Sequence, residues 1–232
     1  MNISTSIQTI REHTIFVSPL NQDSIVLDLG ANLGGFSIEM IRRFGCTCVA
    51  VEPSPNMFHQ IPSHHRIQKL NLAVAGANRA VQFHISADPL GSSMIPNDHA
   101  DYERVLSVTG RNLESLVKEL DLFQIDLIKM DVEGAEIEIL DACSDKFLQL
   151  IGQFSIEFHD FNQTISIKEV RRILERFEKL GFFVYRKSFS NYCDVLLINK
   201  ATNEVSVVDL LFHRYLLRNI LGLKRLFGKL WS

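Results

Sequence analysis

This sequence lacks the features that mark membrane, secreted and nucleic-acid-binding proteins. Its 232 residues contain no apolar run long enough to form a membrane-spanning helix. The N-terminus lacks the basic and then apolar pattern of a signal peptide. A net charge of −3 gives no general positive field that would attract a nucleic acid. We therefore expect a cytoplasmic protein without a nucleic-acid partner.

The four cysteines also lack the spacing of a metal site or a redox pair. Cys46, Cys48, Cys143 and Cys193 form no C-x-x-C motif. Buried, reduced thiols are the ordinary interpretation, and they agree with a cytoplasmic location. The composition, with 46% hydrophobic and 22% charged residues, is typical of a globular protein. The length fits one α/β domain with a substantial core.

The segment 25–35, IVLDLGANLGG, is the strongest pattern in the chain. Ile25–Leu29 is a short apolar run with β-branched residues, which predicts a strand buried on both faces of a parallel sheet. A glycine turn follows, and residues 36–44 have the apolar stripe of a helix. This combination predicts a nucleotide-sized pocket at the carboxyl end of the strand. The alternative is a turn that only joins strand to helix.

The glycine spacing of this turn discriminates between nucleotide ligands. Gly30, Gly34 and Gly35 give G-x-x-x-G-G, which differs from the G-x-G-x-x-G of dinucleotide-binding proteins, and the turn has no Walker lysine. A pyrophosphate site would favour bare backbone N–H groups without a nearby acid, whereas Asp28 stands just ahead of this turn. The pattern therefore favours S-adenosylmethionine (SAM). The predicted cofactor-binding residues here are Asp28, Gly30, Asn32 and Gly34.

Two later strands add further cofactor-binding candidates. Residues 47–51 predict an apolar strand that ends at Glu52, where a carboxylate can accept hydrogen bonds from ribose hydroxyl groups. Residues 66–74, RIQKLNLAV, predict a third strand with Asn71 and Ala73 near its carboxyl end. In a methyltransferase-like sheet this position borders the adenine, where small and amide side chains permit stacking and a hydrogen bond to the ring.

The segment 125–140, IDLIKMDVEGAEIEIL, brings several charged residues to the end of another strand. Residues 125–130 predict the strand, and Glu136 begins the following helix. Asp131 and Glu133 lie in the loop between them, close to the positive N-terminus of that helix. Their position at a strand end favours a functional role. The alternative is a helix start whose charges are merely balanced.

Three segments, VLDLGANLGGFS, VEPSPNMF and LIKMDVEGAEIEIL, resemble in this order the FkbM family of SAM-dependent methyltransferases. The family's lysine-x-aspartate-x-glutamate-glycine-x-glutamate signature stands here as Lys129, Asp131, Glu133, Gly134 and Glu136. The resemblance covers about residues 22–200. It implies the class I methyltransferase fold, a Rossmann-like α/β sheet of seven mostly parallel strands with the last antiparallel and helices on both faces. It also implies O-methylation, commonly of sugars, glycolipids or polyketides.

The predicted acceptor site lies at the ends of two neighbouring strands. Residues 153–159, QFSIEFH, predict a core strand with Glu157 and His159 at its carboxyl end. Methyl transfer to an alcohol needs an aligned oxygen, and a base can take its proton. By its ordinary pKa His159 is the expected base, with Asp131 as runner-up or as its orienting partner; a structural histidine is the alternative. The predicted substrate-binding residues are Lys129, Glu133, Glu157 and, from the loop 87–102, Ser92.

Other functions stay open beside O-methylation of a sugar hydroxyl in a glycan or glycolipid. Asp131, Glu133, Glu157 and His159 could hold a divalent ion such as magnesium, as in a metal-dependent small-molecule O-methyltransferase. We rank this second because no ligand spacing demands a metal. A non-catalytic nucleoside-binding or scaffold protein would keep the same fold without turnover. A dehydrogenase is disfavoured because G-x-G-x-x-G is missing.

The two ends of the chain differ from the predicted methyltransferase domain, residues 25–200. Residues 1–24 are polar with scattered isoleucines and predict an arm or helix that covers one edge of the sheet. Residues 201–232 predict an amphipathic helix, and its part 205–232 carries five basic residues against Asp209 alone. Such a helix suits peripheral contact with the inner face of an anionic membrane. Docking on its own domain, or on a sister chain in a homo-oligomer, is the alternative.

Overall fold

The structure, a computed structural model, describes residues 6–86, 102–160, 165–188 and 190–203. Its strands are β1 (Ile7–Ile10), β2 (His13–Phe16), β3 (Ile25–Leu29), β4 (Thr47–Val51), β5 (Ile67–Leu70), β6 (Ala73–Ala75), β7 (Ala80–Ser86), β8 (Tyr102–Asn112), β9 (Leu127–Met130), β10 (Gln153–Ile156), β11 (Phe182–Arg186) and β12 (Val195–Asn199). Its helices are α1 (Gly35–Phe44), α2 (Pro55–Gln60), α3 (Leu113–Glu119), α4 (Glu136–Asp141), α5 (Asp145–Leu148) and α6 (Ile167–Lys179).

A seven-stranded sheet forms the centre, in the order β11-β12-β10-β9-β3-β4-β5. Five strands, from β10 to β5 in that order, pair in parallel, and β12 pairs antiparallel with both β10 and β11. The residues of β9 and β12 are buried throughout, and apart from Lys129 and Asn199 they are all apolar, as expected for strands covered on both faces. The predicted class I methyltransferase sheet, with its last strand antiparallel, is confirmed.

The parallel strands supply two cores because successive side chains point to opposite faces of the sheet. On one face, Leu27, Ile128 and Phe154 pack with residues of α3, α4, α5 and α6. On the other face, Val26 and Leu127 pack with residues of α1 and the N-terminal strands. The sheet is therefore covered on both sides, and its strand ends are left to form a site.

The N-terminal segment is a β hairpin, which corrects the prediction of an arm or helix at an edge of the sheet. Arg11 and Glu12 join β1 to β2 with φ angles of 48° and 73°, as in the two-residue turns that match strand twist. Neither residue is an asparagine or glycine, so no hairpin signal is present in the sequence. The hairpin lies against a face of the sheet, where Phe16 packs with Leu196 and Ile198.

Buried hydrogen bonds attach this hairpin to the central sheet. The Thr14 backbone N–H and hydroxyl donate to the two carboxylate oxygens of Asp194, at 3.0 and 2.6 Å. The Gln153 amide accepts from the Phe16 N–H and donates to the Phe16 carbonyl, both at 2.8 Å. These four hydrogen bonds satisfy buried polar groups of the hairpin and of the sheet. They hold β2, which begins at His13, in a fixed position on the sheet.

The predicted third strand over 66–74 is two strands in the structure. β5 ends at Leu70, and after a two-residue break β6 joins a second sheet of order β6-β8-β7. Asn71 stabilises the break, because its side-chain amide donates hydrogen bonds to the carbonyls of Glu52 and Pro53, at 2.8 and 3.1 Å. The break was not predicted because only two residues separate the two strands.

Two predictions fall outside the described residues. Ser92 and residues 204–232 are not among them, so the substrate-binding role of the first and the membrane or docking role of the second stay predictions. A search of the described ranges for a helix with the length and apolarity needed to cross a membrane finds none.

Candidate active site

The glycine turn between β3 and α1 is held by its backbone. The N–H groups of Gly30 and Ala31 both donate to the Val51 carbonyl at 3.0 Å, which ties the turn to the end of β4. Gly30 has a φ of 74°, and a Cβ at this position would overlap the carbonyl oxygen of Asp131. Only glycine therefore allows the ends of β3 and β9 to approach this closely.

Glu52 at the end of β4 is joined to the same turn. Its two carboxylate oxygens accept hydrogen bonds from the backbone N–H groups of Asn32 and Ser54, both at 2.8 Å. Burial raises the pKa of Glu52, while these two N–H groups act in the opposite direction. Each carboxylate oxygen can accept more than one hydrogen bond, so Glu52 retains acceptor capacity towards a ligand.

Lys129 and Asp28 lie beneath the turn. The Lys129 ammonium donates to the Gly30 carbonyl at 2.7 Å and lies 3.3 Å from Asp28 and 3.5 Å from Asp131. Asp28 is fully buried and accepts from the Ser37 hydroxyl at 2.7 Å. Neither side chain is among those that line the cleft over the turn, and the predicted roles of Asp28 in cofactor binding and of Lys129 in substrate binding stay predictions.

His159 lies in a buried group of acids at the ends of β9 and β10. Its Nδ1 is 2.8 Å from Glu136, its Nε2 is 3.1 Å from Glu133, and Asp131 is 3.7 Å away. Burial alone would lower the pKa of His159, but the hydrogen bonds and charges of Glu133 and Glu136 raise it to about 11. A ring that is already protonated at neutral pH donates hydrogen bonds, which argues against its predicted role as the base.

A second group meets Asp131 from the other side. His13 of the hairpin has its Nε2 3.8 Å from Asp131, and ligand atoms of His13, Asp131 and Glu157 all lie within 4.8 Å of one another. Burial, helped by the charge of Lys129, lowers the pKa of His13 to about 4, so its ring is neutral. His13 was not predicted as a site residue, because nothing in a polar N-terminal segment indicates contact with a residue more than a hundred positions away.

An open cleft lies over the turn and the ends of these strands. Measured to its mouth, it contains about 720 Å³ of space outside protein atoms, part of which is open solvent. The predicted site residues that line it are Gly30, Asn32, Glu52, Ala73, Asp131 and Glu133. The lining residues that the sequence analysis missed are Val51, Pro53, Ser54, Met57, Leu72, Val74, Phe83 and Val132. Of these, Phe83 could have been predicted to face inwards, because β7 alternates apolar and polar residues.

The remaining predicted residues lie behind this lining or beside Asp131. Gly34, at a φ of 74°, is the N-cap of α1, and a Cβ there would meet Ile61 at 2.8 Å. Asn71 holds the chain after β5, as described above. Glu157 and His159 lie beside Asp131. We call the group formed by Asp131 and the side chains around it, His13, Glu133, Glu157 and His159, the inner end of the cleft.

Comparisons with known proteins find methyltransferases among the proteins that this chain resembles. The chain is 25% identical to Methyltransferase 1 of Beauveria bassiana over 62% of this chain and 68% of that protein. It is 28% identical to the 2-O-methyltransferase NoeI of Sinorhizobium fredii over 57% of this chain and 63% of that protein. A search of solved structures matches M. capricolum TrmK in complex with S-adenosylhomocysteine, at 13% identity and a TM-score of 0.44, over 90% of this chain and 82% of the other.

The strand order, the glycine turn and the acid at the end of β4 define a class I SAM-dependent methyltransferase. A cleft at the carboxyl ends of parallel strands is where such sheets bind nucleosides. Residues 28–184 match the family model described as the methyltransferase FkbM domain, which is more than half of the chain. The chain therefore belongs to the FkbM family, and the resemblance seen in its motifs is confirmed.

Proposed function

We propose that this enzyme transfers the methyl group of SAM to a hydroxyl oxygen, on a sugar of a glycan or glycolipid. The observation that carries the proposal is the inner end of the cleft, where His13, Asp131 and Glu157 converge within 4.8 Å. Closely spaced imidazole and carboxylate groups suit hydrogen bonding to hydroxyl groups. The relative NoeI, which is a 2-O-methyltransferase, supports an oxygen acceptor.

The chemistry of the cleft fits SAM, which supplies a methyl group on a positively charged sulfur. Glu52 would accept from the ribose hydroxyl groups with the acceptor capacity that remains to it. Ala73 and the apolar side chain of Phe83 would border the adenine. Asp131 and Glu133 would give the cationic end of the cofactor a negatively charged wall.

Calorimetric titration with SAM and, separately, with NAD tests the cofactor assignment. We expect micromolar binding of SAM, no binding of NAD, and at least tenfold weaker SAM binding by Glu52→Ala, or about 1.4 kcal/mol. Glu175→Ala, an exposed acid on α6, is the matched control and should bind SAM normally. If SAM does not bind, the chain is a non-catalytic protein on this fold.

Methyl-labelled SAM then tests the acceptor. Label should move into oligosaccharide or glycolipid fractions as an ether that resists mild base. Label in a protein or nucleic-acid fraction would contradict the proposal.

The same reaction with EDTA tests the second-ranked alternative, a metal-dependent methyltransferase. Among the described residues two groups could hold a metal ion: His13, Asp131 and Glu157, or Asp131, Glu133 and His159. We expect full activity in EDTA.

A further inference from the structure

Carboxylates outnumber cations at the inner end of the cleft. Among the described residues, the acids here are Asp28, Asp131, Glu133, Glu136 and Glu157, and the cations are Lys129 and protonated His159. Asp28 and Glu136 are fully buried. The Asp28 oxygen that accepts no hydrogen bond from Ser37 lies 3.3 Å from the Lys129 ammonium, whereas one Glu136 oxygen has no hydrogen-bond partner among the described residues. Uncompensated negative charge in a buried site favours a ligand that carries positive charge.

Glu157 is the acid that the local cations compensate least. Its backbone N–H donates to the Met130 carbonyl at 2.9 Å, which fixes it directly after β10. Within the described ranges its carboxylate forms neither a hydrogen bond nor an ion pair, whereas Asp131 and Glu133 both have cationic neighbours. The titratable groups that face it are Asp131, Glu133, Lys129, His159, His13 and the Cys193 thiol.

We propose that Glu157 is the base that takes the proton of the acceptor hydroxyl, and that the positive charge of bound SAM keeps it ionised for this role. The proposal rests on the function proposed above. The acceptor oxygen forms its new bond to the methyl carbon, the carbon–sulfur bond breaks with its electron pair remaining on sulfur, and the O–H proton moves to the Glu157 carboxylate. Charge and protons balance, and no further reactant is needed.

The proposal predicts that SAM and its product S-adenosylhomocysteine (SAH) differ in proton release on binding. Burial and the charge of Asp131 raise the pKa of Glu157 to about 7, so about half of the free enzyme carries this proton at pH 7. SAM carries one positive charge more than SAH and should lower this pKa. A decrease of one unit would release about 0.4 proton per SAM bound. SAH should release almost none, because its sulfur is neutral.

Calorimetry at pH 7.0 in two buffers of different ionisation enthalpy, phosphate and Tris, measures this number directly. We expect about 0.4 proton released with SAM and less than about 0.1 with SAH. Glu157→Gln should still bind SAM but release no proton. Glu157→Asp, which keeps a carboxylate, should restore the release, and Glu175→Gln on the exposed face of α6 is the matched control.

The outcomes separate this inference from the function on which it rests. Absence of SAM binding would overturn both. SAM binding with equal proton release for SAM and SAH, or with release unchanged in Glu157→Gln, would overturn the role of Glu157 alone. If Glu157→Gln does not fold, the wild-type comparison of SAM with SAH and the Glu157→Asp variant still decide the result.

Discussion

The two ends of the cleft are built in different ways. The end at Glu52 is made by one β3-turn-α1-β4 unit. The backbone N–H groups of this unit shape it, because they donate to the Val51 carbonyl and to the Glu52 carboxylate. The inner end is made by side chains from the N-terminal hairpin, the loop after β9 and the chain after β10. The first end therefore depends on backbone geometry, and the second depends on the balance of charge.

This difference predicts different effects for substitutions at the two ends of the cleft. Steric changes in the turn should remove the cofactor site outright, because the backbone has no alternative path between β3 and α1. Changes of charge at the inner end should leave the backbone in place and alter stability and proton binding.

Gly30→Ala should break the turn. A methyl group there would overlap the Asp131 carbonyl, and a φ of 74° is unfavourable for any residue with a Cβ. We expect a loss of about 4 kcal/mol or more in the free energy of unfolding, with no measurable SAM binding. Urea unfolding and calorimetry measure the two effects.

Gly181→Ala is the matched control for the backbone conformation. Gly181 has a φ of 95°, but a Cβ there would meet nothing within 4 Å. The variant should lose only about 1 to 2 kcal/mol and bind SAM as the wild type does. Equal losses in the two variants would show that backbone conformation, and not the contact between β3 and β9, makes glycine necessary in the turn.

Lys129→Met tests the link between the two ends. Lys129 is buried between Asp28 and Asp131, and burial lowers its pKa less than these carboxylates raise it. Its removal would leave two buried carboxylates without their shared cation, so we expect a loss of about 3 kcal/mol in urea unfolding. Adding Asp28→Asn should recover part of that loss.

Lys69→Met is the control for removing a lysine at a strand end. Lys69 on β5 donates to the Ile61 carbonyl at 3.0 Å and lies over the Phe58 ring, without a carboxylate partner among the described residues. We expect a loss of less than about 1 kcal/mol. A similar loss in both lysine variants would mean that charge compensation contributes nothing special at Lys129.

The same division explains how much could be predicted from the sequence. The individual strands, the glycine turn and Glu52 at the end of β4 were predictable because periodicity and turn chemistry report local geometry. The seven-stranded sheet was predicted from the family resemblance, since it pairs strands that lie far apart in the sequence. His13 was not predictable, since its contact with Asp131 depends on a hairpin packed across the sheet. The burial of Asp28 and Lys129 was also missed, because a strand-end position does not reveal which side of the turn a side chain occupies.

The pH dependence of stability should report the inner end alone. The pKa of His159 in the folded protein, about 11, exceeds its ordinary value of 6.5. Its protonated ring therefore stabilises the folded protein fully below pH 6.5, and this stabilisation declines as the pH rises towards 11. From pH 7 to 9, the free energy of unfolding of the wild type should fall relative to that of His159→Gln by up to about 1.4 kcal/mol per pH unit. His59→Gln, at an exposed histidine of α2, should follow the wild type. Parallel pH profiles for wild type and His159→Gln would instead mean a neutral ring in the folded protein, and His159 would again be available as the base.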